Sequence, residues 1–91
     1  HVLIVPLRHT ADAFSMTEEE IRDSQALTRR LYEKIRRDDS SVTGFNIGMD
    51  IGESAGQTVF HAHIHLIPRR EGDCDSPRGG VRGVIDGRRN Y

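Results

Sequence analysis

Within residues 58–67, Phe60-His61-Ala62-His63-Ile64-His65-Leu66 alternates strictly between apolar and polar side chains. Successive side chains on a strand point to opposite faces, so this pattern predicts a long strand over 58–67, stopped by Pro68. His61, His63 and His65 then share one face, with alternate residues about 7 Å apart. Phe60, Ala62, Ile64 and Leu66 form the other, and that apolar face has to be covered. In a chain of 91 residues the cover comes from one modest core, because two independent cores do not fit.

A helix supplies the cover. Thr17-Glu18-Glu19-Glu20 has the spacing of a capping box, in which the Thr17 hydroxyl accepts from the Glu20 amide and Glu20 reaches back to the Thr17 amide. Met16 and Ile21 sit at the positions of a hydrophobic staple. The helix is expected to run to about Arg37, with Ile21, Leu27, Leu31 and Ile35 along one side. Its acids cluster in the first turn and Arg36-Arg37 in the last, as the helix dipole favours. Before it, Val2-Leu3-Ile4-Val5 closed by Pro6 reads as a buried strand; after it, Phe45-Asn46-Ile47-Gly48-Met49 reads as another. The order β-α-β-β, with a short glycine-rich loop at 52–56, predicts an α+β fold with an antiparallel pair. The tail is polar, with one weak apolar island at 81–85.

Composition excludes several classes. Thirteen basic residues against fourteen acidic give a net charge of −1, unlike a nucleic-acid or membrane binder driven by bulk charge. No apolar run approaches the roughly 18 residues of a membrane span. A single cysteine, Cys74, excludes an intrachain disulfide framework and a CxxC ribbon. Its flanking Asp73 and Asp75 disfavour a thiolate.

Three uses of the histidine face are open. It can be a solvated strand surface, a metal site built from imidazoles, or a nucleophilic site in which one imidazole attacks while its neighbours donate protons and orient it. With an ordinary pKa near 6.5, an imidazole can serve as either base or acid close to neutrality. The preceding loop favours a phosphate. Gly56 lets backbone approach a ligand, while Gln57 and Thr58 supply amide and hydroxyl donors. It is not a Walker loop, since the only lysine, Lys34, lies in the helix.

Residues 55–69, AGQTVFHAHIHLIPR, resemble the signature of the histidine triad (HIT) superfamily of nucleotide hydrolases and transferases. Residues 1–9 resemble that family's preceding strand, which carries a fourth histidine. Residues 75–82 are similar to the tail of a bacterial branch of diadenosine polyphosphate hydrolases. The resemblance implies a HIT-like antiparallel sheet with one main helix. It also implies that His63 attacks the α-phosphate to form a nucleotidyl-histidine, which water then cleaves. His65 would contact the phosphate or the leaving group, and His61 and His1 would form a hydrogen-bonded supporting pair. Gly56, Gln57 and Thr58 match the phosphate loop. Two hypotheses of other classes stand beside the enzyme: a non-catalytic nucleotide-binding regulatory protein and a metal-binding strand protein.

Asp50 departs from the resemblance, standing where the family usually has Asn or Gln. A carboxylate there would repel phosphate, be protonated, choose a ribose hydroxyl, or merely cap a turn. The upstream CxxC that some relatives use for zinc is also missing, so no metal or other cofactor is expected and His9 reads as a surface or packing residue. Arg78-Gly79-Gly80 with Arg82 is a weak RNA-binding signal, better suited to a phosphate or subunit contact. The expected partners are a nucleotide substrate and a second copy of the chain, with no membrane or nucleic acid, in the cytoplasm. A HIT domain usually has a helix and strands before the position of His1, so residues 1–91 read as one domain incomplete at its N-terminus.

Overall fold

The capping box forms as the spacing requires. The Thr17 hydroxyl accepts from the Glu20 amide at 3.1 Å, and the Glu20 carboxylate accepts from the Thr17 amide at 2.8 Å. The computed structural model describes residues 1–88, and in it α1 runs over Glu18–Asp38. Glu20 also receives the Arg8 guanidinium, with bonds of 2.7 and 3.3 Å. Those bonds, Arg8's first, hold the Glu20 carboxyl down at about 2. A single glutamate thus caps α1 and ties it to the segment leaving the first strand. At the other end the Asp39 amide donates to Ile35, and the Asp39 carboxylate gathers the Ser41 amide and hydroxyl and the Arg70 guanidinium.

Three strands, β1 (Val2–Ile4), β2 (Val42–Gly48) and β3 (Ile64–Arg70), make an antiparallel sheet in the order β1-β3-β2. The expected α+β architecture is therefore present. The strand expected over 58–67 is shifted toward the C-terminus and continues through Pro68. Upstream, Pro6 ends the ladder of β1, and residues 61–63 are held instead by a bond from the Ala62 amide to the Thr10 carbonyl, 2.7 Å. Downstream, β1 pairs no further than Leu66, so Pro68 stands where β3 has a partner on one side only among the described residues. An irregularity in β2 between Val42 and Gly44 lies opposite the same stretch.

Ile4, Ile64 and Leu66 form the core, with Val2, Leu31, Ile35 and Phe45 packed against it. Leu66 is wholly buried between its cross-strand neighbours Val2 and Ile47. The expected apolar face departs at two places. Phe60 is half exposed because it precedes the ordered strand, and Ile21 and Leu27 are more exposed than Leu31 and Ile35. Only the second half of α1 reaches the core. No helix among the described residues is long and apolar enough to cross a membrane.

Candidate active site

Each histidine takes its orientation from a different neighbour. His61 Nε2 lies 2.9 Å from the Pro6 carbonyl, and His63 Nδ1 lies 2.8 Å from the His61 carbonyl. A carbonyl only accepts, so each of these nitrogens carries the proton. In a neutral His63 the lone pair is then on Nε2, the outward nitrogen. His65 is placed by the sheet. It stands opposite Leu3 of β1 and Gly48 of β2, and a Cβ at Gly48 would meet nothing within 4 Å. Gly48 thus leaves open space opposite the last of the three imidazoles. The His63 and His65 rings are 5.1 Å apart and nearly perpendicular.

The expected His1–His61 pair is not formed. His1 Nε2 meets His65 Nδ1 at 2.9 Å, with ring centroids 5.1 Å apart. The register explains it. Leu3 opposes His65, so His1 is the diagonal neighbour of His65 on the same face, within reach of a long side chain. His61 lies beyond the end of β1 and turns to Pro6, where His9 packs edge-on against it at 5.3 Å.

The glycine loop is also rearranged relative to expectation. Gly52 and Gly56 have φ of 91° and 96°, bracketing a turn of 3-10 helix at Glu53–Ala55. Only glycine adopts such angles readily, which is why both positions punctuate the loop. The Gly56 amide donates to the Glu53 carbonyl and the Gln57 amide to the Gly52 carbonyl. Gln57, 3% exposed, accepts from the Gly52 amide at 2.9 Å and donates to the carbonyls of Ala11 at 2.8 Å and Val59 at 3.1 Å. Gly56 and Gln57 therefore build the loop and have no amide left for a phosphate. Thr58 is exposed. Ser54 and Ala55, not singled out by the sequence, are the loop residues that face the groove described next.

A groove of about 890 Å³ opens beside His65. His1, His65, Asp50 and Ser54 line one end; Asn46, Arg69 and the apolar side chains of 81–85 line the other. Asp50 Oδ2 faces His65 Nε2 across 4.0 Å, so the carboxylate sits in the site rather than merely in a turn. Asn46 and Arg69 were not anticipated. Arg69 donates to Asn46 Oδ1 at 2.6 Å and through two nitrogens to Asp73 at 2.8 Å each. These bonds, Asp73's first, raise the Arg69 pKa and press the Asp73 carboxyl well below the usual range. Cys74 Sγ, 3.0 Å from Arg69, completes the turn. Among the described residues no three His, Cys, Asp or Glu side chains converge as metal ligands would.

Comparison with known proteins identifies the family. The profile of the HIT domain matches residues 1–72. The chain belongs to the HIT family. It is 36% identical over 81 residues to an uncharacterized HIT-like protein of Mycobacterium tuberculosis, covering 89% of this chain and 56% of that one. With the asymmetrical bis(5′-nucleosyl)-tetraphosphatase of Schizosaccharomyces pombe it shares 37% identity over 73 residues, 80% of this chain and 40% of that one. The crystal structure of a HIT family protein from Bacillus anthracis superposes with a TM-score of 0.72 at 37% identity, covering 77% of this chain and 49% of that one. The chain thus spans about half the length of the relatives it matches.

Proposed function

We propose that this HIT chain carries the catalytic residues of a nucleotide hydrolase or transferase acting at the α-phosphate of dinucleoside polyphosphates or related nucleoside phosphate conjugates. The observation that carries the reading is the bond from His63 Nδ1 to the His61 carbonyl, which leaves Nε2 of the neutral ring as an outward nucleophile beside His65. The tetraphosphatase relative supports the substrate class. Nε2 of His63 attacks phosphorus in line, and the bond to the leaving group breaks. His65 Nε2–H gives the departing atom its proton; it carries one when His1 Nε2 donates to His65 Nδ1. Water then attacks phosphorus, the P–N bond to His63 breaks, and one of the water's protons returns to His65, releasing the nucleotide and regenerating both imidazoles. Imidazole suits this split reaction because it is both a capable nucleophile and a good leaving group. His61 acts at one remove, since its carbonyl orients His63.

The protein is also proposed to pair with a second copy. The outer edge of β2 is unpaired among the described residues, and an apolar groove of about 810 Å³ lies beside it, lined by Phe14, Ile21, Tyr32 and Met49. The deciding experiment measures turnover of diadenosine tetraphosphate by wild type and His63→Ala, with nucleotide affinity in parallel. The variant is expected to lose about a thousandfold or more in kcat while still binding nucleotide. Equal turnover by both contradicts the assignment of His63; binding without turnover by wild type supports a regulatory nucleotide binder instead.

A further inference from the structure

Arg69 is heavily engaged, yet it takes part in no step of the reaction proposed at His63. It shares a face of β3 with His65 and stands about 13 Å further along the strand. Its Nε and Nη2 donate to the two carboxylate oxygens of Asp73 at 2.8 Å each, a bidentate fork. Nη1 donates to Asn46 Oδ1 at 2.6 Å, and Nη2 lies 3.0 Å from Cys74 Sγ. One side chain of β3 thereby holds β2 and the turn after β3 together. Asp73 tightens that turn, because its Oδ2 also accepts from the Arg70 amide at 3.0 Å.

Beyond the turn the chain comes back to β2. A Cβ added at Gly80 would lie 3.5 Å from Asn46 Nδ2, and Val81, Val84 and Ile85 line the groove along with Ile47 and Ile67. Those three tail side chains are 64%, 81% and 63% exposed, and the turn of 3-10 helix at Gly80–Val84 buries none of its residues. Its backbone bonds are local, from the Gly80 amide to Pro77 and from the Arg82 amide to Gly79. Few buried apolar contacts fix a wall of this kind. The polar fork stands at its root, and Asn46 is shared between Arg69 and the tail.

Resting on the proposed transfer at His63, we infer that Arg69 is a positioning residue: by joining Asn46 of β2 to Asp73 of the turn, it holds residues 75–85 in place as the second wall of the groove. It governs how tightly the ligand is gripped, and it has no part in the attack on phosphorus. Loss of the fork frees the wall, so binding weakens equally in the ground state and the transition state while the geometry at His63 stands.

The test measures kcat, KM and binding affinity for diadenosine tetraphosphate on the intact protein, together with the rate of trypsin cleavage after the exposed Arg78. Arg69→Gln and Asp73→Asn should each raise KM about tenfold with kcat within about twofold of wild type, and each should speed cleavage at Arg78 about tenfold. Arg69→Lys keeps a charge beside Asp73 but cannot fork it and reach Asn46 together, so it should fall between wild type and Arg69→Gln. The double variant should be no worse than either single one, since both break the same fork. Asp73 lies in an exposed turn, so Asp73→Asn carries the test if Arg69→Gln fails to fold. Additive effects of the two substitutions, a fall in kcat with KM held, or an unchanged rate of cleavage overturns the role of Arg69 and leaves the reaction standing. No turnover by wild type, with both variants still weakening affinity and freeing the tail, overturns the reaction at His63 but supports the role of Arg69. No turnover and no such changes overturns both.

Discussion

His63 and His65 are neighbours in one alternating run, yet they are held in different ways. His63 precedes the sheet, and its ring is fixed by a backbone carbonyl only two residues away. His65 lies inside β3, and its surroundings come from distant parts of the chain: His1 of the segment entering β1, the bare Gly48 of β2, and Asp50 beyond it. The proposed nucleophile is therefore oriented locally, and the proposed proton donor by tertiary structure. Local orientation survives small errors elsewhere in the fold, whereas tertiary orientation can be retuned by changing one neighbour. On the proposed mechanism, substrate selectivity then falls on the His65 side and the constant part of the chemistry on the His63 side.

Substitutions can break this division, and the largest effect is expected beneath the tertiary half. Leu66→Ala removes the wholly buried side chain of β3 and should destabilise the protein by about 2–5 kcal/mol, read by denaturant unfolding. A smaller loss, about 1–3 kcal/mol, is expected for Gln57→Ala, which strands the Gly52 amide and takes the donor from the Ala11 and Val59 carbonyls. A direct phosphate contact by Gln57 would instead raise KM with stability unchanged, so the two measurements together settle its part. The smallest effect is expected in the first turn of α1. Glu20 has its carboxyl lowered from 4.5 to about 2, so its ionised form stabilises the fold above about pH 4.5, and that contribution fades as pH falls toward 2. The difference in Tm between wild type and Glu20→Gln should therefore be present at pH 6 and shrink through that window. A pH-independent difference would mean that the cap works without its charge.

What could be read from the sequence follows the same division. The capping box needs only Thr17 and Glu20 three residues apart, and it formed as read. The alternation from His61 to Leu66 likewise shows directly in burial, with Ala62, Ile64 and Leu66 inside and the three imidazoles partly exposed. Pairings across the sheet were not legible. Nothing in the order of residues says that Leu3 opposes His65, and a slip of register would exchange the partner of His1. Gln57 misled for a related reason: a polar side chain in a glycine loop reads as a ligand donor until Ala11, far off in sequence, is seen to accept from it. Asn46 and Arg69 gave no local signal, because their bond joins β2 to β3.

The most direct test of the central claim is to quench the protein in alkali during turnover of a labelled diadenosine polyphosphate and map the modified residue by mass spectrometry. The predicted result is one nucleotidyl group on His63, absent in His63→Ala. A nucleotidyl group on His65 or His61, or turnover with no covalent adduct under conditions that preserve phosphohistidine, would contradict it.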